Sequence, residues 1–264
     1  MYFCPKKQNN FQYILKEKNT FQHLSPSVNI EPVSDKTQEP ILSDLQRREI
    51  QVTSDGSHTL YMPGMDEHYH SVNGAIQESE HVFIEAGLHR LSKKEIRVLE
   101  IGFGTGLNAF LTLLDSRQSD RHITYYSMEL YPLDIALVQN LNYGKVLCAR
   151  EEDLFMALHE APWNQSASIT PNFTLHKMKG DCNQAELPNE IDLVYFDAFA
   201  PDKQPEMWNQ ELFSKLYFRM NEGGILTTYC AKGAVRRTMK ESGFSVERIP
   251  GPPGKREMLR ATKL

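Results

Sequence analysis

Residues 97–110 read RVLEIGFGTGLNAF, and few folds accommodate such a stretch. Val98, Leu99 and Ile101 form a short apolar run, as in a strand buried on both faces. Gly102, Gly104 and Gly106 follow at every second position, and Leu107, Ala109, Phe110, Leu111, Leu113 and Leu114 continue at helical spacing. The segment therefore predicts strand, sharp turn, helix. Glycine suits the turn because the backbone must bend sharply there and a ligand must come close to it. The helix start adds unpaired N–H groups and the positive end of its dipole. Such a place binds a nucleotide-like ligand.

The spacing narrows the ligand further. A dinucleotide fold uses G-x-G-x-x-G, whereas this chain has G-x-G-x-G with an acid, Glu100, two residues before the first glycine. A carboxylate there suits a ligand with a positive end better than one with a pyrophosphate. S-adenosylmethionine fits, since it carries an ammonium and a sulfonium and no phosphate. Glu129 ends the next apolar run, 123–128, and an acid at that strand tip accepts hydrogen bonds from both ribose hydroxyls. Glycines alone would also suit a tight turn with no ligand; Glu100, three glycines and Glu129 together argue against that.

Downstream the pattern alternates. Strands are predicted at 97–101, 123–129, 173–179, 191–196 and 225–229, and helices at 107–116, 132–141, 151–160, 207–220 and 231–242. Alternation of this kind means a parallel sheet with helices on both faces. The end of the chain departs from it. Predicted strands 244–249 and 256–262 are joined by the short loop Gly251-Pro252-Pro253-Gly254, which forces antiparallel pairing. The expected fold class is thus α/β: a class I S-adenosylmethionine-dependent methyltransferase (Rossmann-like) sheet, mostly parallel, with a C-terminal antiparallel hairpin. With 264 residues there is room for one sizeable core. Residues 1–45 are rich in Asn, Gln, Ser, Pro and Lys without a sustained period, and read as a weakly ordered extension. A hairpin and lid segment is expected at 46–94, turning at Asp55-Gly56, and the methyltransferase domain at 95–264.

In this architecture the ligand sits at the carboxyl ends of the strands. Asp181, after the third strand, is placed to accept from an adenine amine, or else it stabilises its own turn. Asp197 and Phe199, in Asp197-Ala198-Phe199-Ala200-Pro201 after the fourth strand, are placed beside the transferred methyl. There Asp197 accepts a hydrogen bond from a target amine and Phe199 packs next to it. The ordinary carboxylate pKa of about 3.9 makes Asp197 a positioning group rather than a free base.

The remaining features assign partners and exclude classes. From residue 232 onward nine Lys/Arg face three Asp/Glu, although the whole chain carries −5. Lys232, Arg236, Arg237, Lys255 and Arg256 read either as one face for backbone phosphates or as solvated surface. Histidines 58, 68, 70, 81 and 89 match no zinc spacing, so no metal is expected. Four scattered cysteines, without a C-x-x-C, give no disulfide framework. No apolar run approaches the about 20 residues that span a bilayer, and the N-terminus lacks a signal-peptide core; the expected compartment is the cytoplasm.

Three segments in one order carry a resemblance. Residues 100–108 (EIGFGTGLN), 195–201 (YFDAFAP) with Met207-Trp208, and Gly251 through Lys255-Arg256-Glu257-Met258 resemble the MnmC-type methyltransferases. Tyr69-His70-Ser71, Glu78-Ser79 and Val82-Phe83 are similar to the family's upstream pattern. The resemblance implies methylation of the 5-aminomethyl group of wobble uridine 34 in tRNA, giving 5-methylaminomethyl-(2-thio)uridine. It implies S-adenosyl-L-methionine as cofactor, held by Glu100, Gly102, Gly104, Gly106, Asn108, Glu129, Asp181 and Asp197. Some family members add an FAD-dependent oxidase domain. This chain shows no second dinucleotide motif, so the expectation is the stand-alone form, supplied with aminomethyl uridine by a separate enzyme. The alternative is an N-methyltransferase acting on a small-molecule amine. Two further alternatives are a nicotinamide-dependent oxidoreductase, which Glu100 and the glycine spacing oppose, and a dead scaffold, which the intact strand-tip acids oppose.

Overall fold

The computed structural model describes residues 47–264, so the expected extension at 1–45 lies outside the described residues. Strands β1 (Glu49–Val52), β2 (His58–Met62) and β3 (Glu67–His68) form a small antiparallel sheet. Its first turn uses Gly56 at φ +83°, and Asp55 accepts from Ser57 N and from the Thr53 hydroxyl. Helix α1 (Ala75–Ser79) runs into a π-helical turn, Glu80–Glu85, and a 3-10 turn, Leu88–Arg90.

The main sheet has eight strands. Strand β4 (Glu95–Ile101) lies at its centre, followed by α2 (Leu107–Gln118) and β5 (His122–Glu129). Next come three short helices, α3 (Ile135–Val138), α4 (Tyr143–Cys148) and α5 (Glu152–Glu160), then β6 (Ser166–Thr170) and β7 (Phe173–Lys179). The second half holds β8 (Ile191–Phe196), α6 (Gln210–Arg219), β9 (Met220–Thr228), α7 (Gly233–Glu241), β10 (Ser245–Pro250) and β11 (Glu257–Thr262). The strand order is β10-β11-β9-β8-β4-β5-β7-β6. Pairs β4–β5, β4–β8, β5–β7 and β8–β9 are parallel, and β9–β11 and β10–β11 antiparallel. The order reverses between β4 and β8, where a crevice opens at the carboxyl ends.

Burial explains why these strands are central. Every residue of β8 is buried, and alternate residues serve opposite layers. Val98, Leu193 and Tyr195 join one core with Phe110 and Phe155; Leu99, Val194 and Phe196 join the other with Trp208 and Phe213. A period of two across a sheet covered on both faces produces this division.

Three expectations are corrected. The helix predicted at 132–141 does not start at Pro132: Asp134 caps a single turn by accepting from Ala136 N at 2.9 Å. The turn ends at Val138, and Asn142, just before α4, commits its side chain to the β1–β2 hairpin, accepting from His58 N at 2.8 Å and donating to Gly56 O at 2.9 Å. The helix predicted at 207–220 starts at Gln210, where the Asn209 side chain caps it by accepting from Leu212 N. Strand β9 begins at Met220 rather than 225, its register shifting where Gly223 takes φ +74°. Within 164–171 lies edge strand β6, antiparallel to β7.

Candidate active site

A cavity of about 680 Å³ occupies the crevice at the carboxyl ends of β4, β5, β7 and β8. Its floor is the glycine turn after β4. Gly102, Gly104 and Gly106 take φ of +93°, +50° and +74°. A Cβ on Gly102 would stand 2.9 Å from the Asp197 carbonyl oxygen, and one on Gly106 2.6 Å from the His159 ring, so side chains are excluded by conformation and by space. The turn is also fixed from the next strand: Gly102 N donates to Met128 O at 2.9 Å.

Glu129 stands at the tip of β5 on the cavity wall. One carboxylate oxygen accepts from Gly104 N at 2.9 Å and the other from Tyr131 N at 2.8 Å. Both oxygens are thereby oriented, and each keeps a lone pair for a ligand hydroxyl. Asp181 also lines the cavity, but its Oδ1 accepts from Asn183 N and Nδ2 at 2.9 and 3.2 Å. That oxygen stabilises its own turn, which leaves Oδ2 to face a ligand.

Asp197 follows β8 and is half-buried in the wall. Its Oδ2 accepts from Asn108 Nδ2 at 2.8 Å. Burial pushes its carboxyl up to about 7, against the pull of the Asn108 hydrogen bond. The reading of Asp197 as too acidic for a base used the solvent value and is corrected: in this wall it titrates near neutrality. Phe199 meets Tyr69 edge-on, ring centroids 5.2 Å apart. Tyr69 thus brings the expected lid segment onto the site, with His70, Ser71 and Glu78 on the same wall. His70 Nε2 lies 2.8 Å from the Thr105 hydroxyl, and burial lowers its pKa to about 4, so the ring is neutral at pH 7.

Three of the expected ligand residues lie outside the cavity lining: Gly106, whose open side faces the His159 ring, and Glu100 and Asn108 behind the wall. Glu100 is fully buried and outside the cavity lining, where Ser127 Oγ donates to it at 2.6 Å. Burial drives its carboxyl well above the usual range. Ser127, Asn108 and Tyr125 hydrogen-bond this carboxyl and pull against the effect of burial. Asn108, 2 % exposed, reaches the site through Asp197 alone. Both belong to the support of the wall.

The basic residues divide. Lys232 ion-pairs with Asp202, and Lys232, Arg236, Arg237 and Arg256 all lie outside the cavity lining. Lys255 is inside it. The ammonium donates to Glu78 Oε1 at 2.6 Å and sits 4.1 Å from the Tyr229 ring centroid. The expectation of a single five-residue phosphate face is therefore corrected: a 177-residue separation hides the Glu78–Lys255 pair from any local pattern. Only the family-like Glu78-Ser79 and Lys255-Arg256 segments pointed toward it. Sequence reasoning also missed Lys177, 1 % exposed, whose ammonium donates to His159 O at 2.6 Å and lies 4.6 Å from the Trp163 ring centroid. It braces the glycine turn from behind, because His159 Nε2 lies 3.1 Å from Thr105 O.

The donor set fits S-adenosyl-L-methionine. Glu67, Glu78, Glu129, Asp181, Asp197 and Glu206 line the cavity against three cations, Arg48, Lys203 and Lys255. An acid-rich wall over a glycine cradle accepts hydroxyls and cationic groups and opposes a pyrophosphate. Among the described residues, no group of three or more His, Cys, Asp or Glu is placed to hold a metal ion. No described helix is long and apolar enough to cross a membrane.

Comparison with known proteins agrees with this chemistry. A family model described as S-adenosyl-L-methionine-dependent methyltransferase matches residues 156–264. The tRNA 5-methylaminomethyl-2-thiouridine biosynthesis bifunctional protein MnmC of Pseudomonas putida is 34 % identical over 211 residues, 74 % of this chain and 32 % of the relative. Its counterpart from Magnetococcus marinus is 30 % identical over 237 residues, 85 % of this chain and 35 % of the relative. The chain thus spans about a third of the length of these curated relatives. The crystal structure of MNMC2 from Aquifex aeolicus superposes with a TM-score of 0.67 at 27 % identity, covering 82 % of this chain and 70 % of that one.

Proposed function

The chain belongs to the MnmC-type family of S-adenosyl-L-methionine-dependent methyltransferases, and from that premise we propose that it N-methylates the 5-aminomethyl group of wobble uridine 34 in tRNA. The observation that carries the reading is the placement of Asp197 and Phe199 on the cavity wall, against the glycine turn that Glu129 orients. When bound, the cofactor supplies a methyl group on a sulfonium, ready for in-line displacement. Gly102 and Gly104 would admit it closely, Glu129 would take its ribose hydroxyls and Asp181 its adenine amine. Asp197 takes the substrate amine. An alkylammonium has no lone pair to attack with, so a proton must leave it first. With a pKa near 7, Asp197 can accept that proton at neutral pH. Once it has passed that proton on to solvent, the regenerated carboxylate holds the amine as its nitrogen becomes cationic, the stage at which a fixed negative charge stabilises most. Phe199 and Tyr69 keep water from the displacement line.

The docking of tRNA is assigned to Lys232, Arg236, Arg237 and Arg256, outside the cavity, and the site of action to the cytoplasm. The aminomethyl group must already be on the uridine when it reaches this site. The acid-rich cavity and a net charge of −5 favour one second reading, a small-molecule amine as acceptor. Native-gel shifts with tRNA bearing 5-aminomethyluridine separate the two. A shift that weakens with salt is expected, and its absence, with small amines still methylated, would overturn the tRNA reading.

A further inference from the structure

Lys255 enters the cavity by construction. It ends the Pro/Gly loop between β10 and β11, where Lys255 N donates to Pro252 O at 2.9 Å and Gly251 N to Arg256 O at 3.2 Å. A Cβ on Gly254, at φ +85°, would stand 2.1 Å from Asn73 Nδ2, so the loop lies directly against the segment leading into α1. From α1, Glu78 meets the ammonium. Its carboxylate is oriented by Ser71 N, which donates to Oε2 at 2.8 Å, while Oε1 takes Lys255. The Glu78 side chain is 9 % exposed and that of Lys255 35 %. The ammonium has three N–H groups. One is on Glu78 and the face of Tyr229 attracts the charge, and no other described acceptor is hydrogen-bonded to it. Tyr229, whose ring the ammonium faces, donates its hydroxyl to Ala198 O at 2.9 Å, next to Asp197, so Glu78, Lys255 and Asp197 share one end of the cavity.

A ligand bridging Asp197 and Lys255 must present an amine to the first and a hydrogen-bond acceptor to the second. Resting on the wobble-uridine reading above, we propose that Lys255, oriented by Glu78 and Tyr229, donates to the C4 carbonyl of the target base and thereby selects uracil. That carbonyl adjoins the ring carbon that bears the aminomethyl group. Cytosine presents an amino group at the same place, a donor facing a donor. Glu78 cancels the lysine charge, so the incoming amine is not repelled from Asp197. A site built to bond one polar group rejects an analogue that lacks it more strongly than shape alone allows.

The test uses two anticodon stem-loop RNAs, identical but for 5-aminomethyluridine or 5-aminomethylcytidine at the wobble position. Wild-type protein should favour the uridine RNA by at least about tenfold in kcat/KM, with the same preference in binding measured without cofactor. Lys255→Met should bring both ratios to within about twofold of unity. Partial misfolding lowers both substrates alike, so the ratio separates recognition from structure. If Lys255→Met does not accumulate as folded protein, Glu78→Gln must narrow the same ratios, since it releases the ammonium from its orientation. Unchanged ratios in the folded variant would overturn the proposal. Equal methylation of both RNAs by wild-type protein would also overturn it while leaving the wobble-uridine reading intact. Methylation of neither would remove that reading, and the proposal with it.

Discussion

The two sides of the cavity are built differently. The cofactor side is local: the glycine turn at 102–106 and Glu129 belong to adjacent parallel strands, Ile101 paired with Met128, and hydrogen bonds between their tips fix it. The acceptor side is assembled from Tyr69, Glu78, Asp197, Phe199, Tyr229 and Lys255, brought together from across the chain. A ligand shared by many enzymes can be held by one rigid supersecondary unit. A particular acceptor needs walls from several elements, whose side chains evolve separately from the turn. Substitutions should therefore separate the two sides cleanly.

The largest effect is expected on the cofactor side. Glu129→Ala removes the ribose acceptor and frees Gly104 N, costing roughly 2–4 kcal/mol in S-adenosyl-L-methionine affinity. Calorimetry checks this, and tRNA affinity should be untouched. Unchanged cofactor binding in a folded variant would reduce Glu129 to a residue that only ties strand tips together.

Next comes the acceptor side. Asp197→Asn keeps one acceptor oxygen and removes the charge. Single-turnover methylation at saturating cofactor and tRNA should fall at least about tenfold, a barrier change of ~1.4 kcal/mol, with little change in either affinity. A wild-type rate would take Asp197 out of the mechanism and leave alignment by Phe199 and Tyr69. The same carboxyl sets a pH dependence. Raised to about 7 in the fold, it still holds a proton between about pH 4 and 7 that the unfolded chain has released. The group therefore lowers stability as pH rises through that window, and Asp197→Asn should flatten this slope in denaturant titrations. For activity the sign is opposite: kcat/KM should rise through about pH 7, and that limb should vanish in Asp197→Asn.

The smallest effect belongs to the outer basic surface. Replacing Arg236 and Arg237 together by alanine should flatten the dependence of log affinity for tRNA on log salt by about 1–2, without altering turnover of bound tRNA. A wild-type slope would place the docking face elsewhere.

The same contrast explains what the sequence made legible. The parallel sheet, the glycine turn and Glu129 follow from periodicity and spacing, because adjacent residues encode them. Asp197 and Phe199 were placed by strand position, yet the chemistry of Asp197 was not, since its raised pKa comes from burial that no local pattern displays. Glu100 shows the reverse failure. An acid before a glycine turn looked like a ligand residue, but the strand pleat turns it into the core beside Ser127. Lys255 counted as one of five surface cations until the fold set it against Glu78. The tie between Asn142 and a hairpin more than 80 residues earlier is likewise invisible to a local pattern.

The most direct measurement is mass spectrometry of nucleosides from tRNA incubated with the protein and S-adenosyl-L-methionine. The tRNA should come from cells that leave the wobble uridine at the 5-aminomethyl stage. The account predicts that this nucleoside disappears and that one a single methyl group heavier takes its place, with no other nucleoside changed. An unchanged 5-aminomethyl nucleoside, from protein that binds the cofactor, would contradict it.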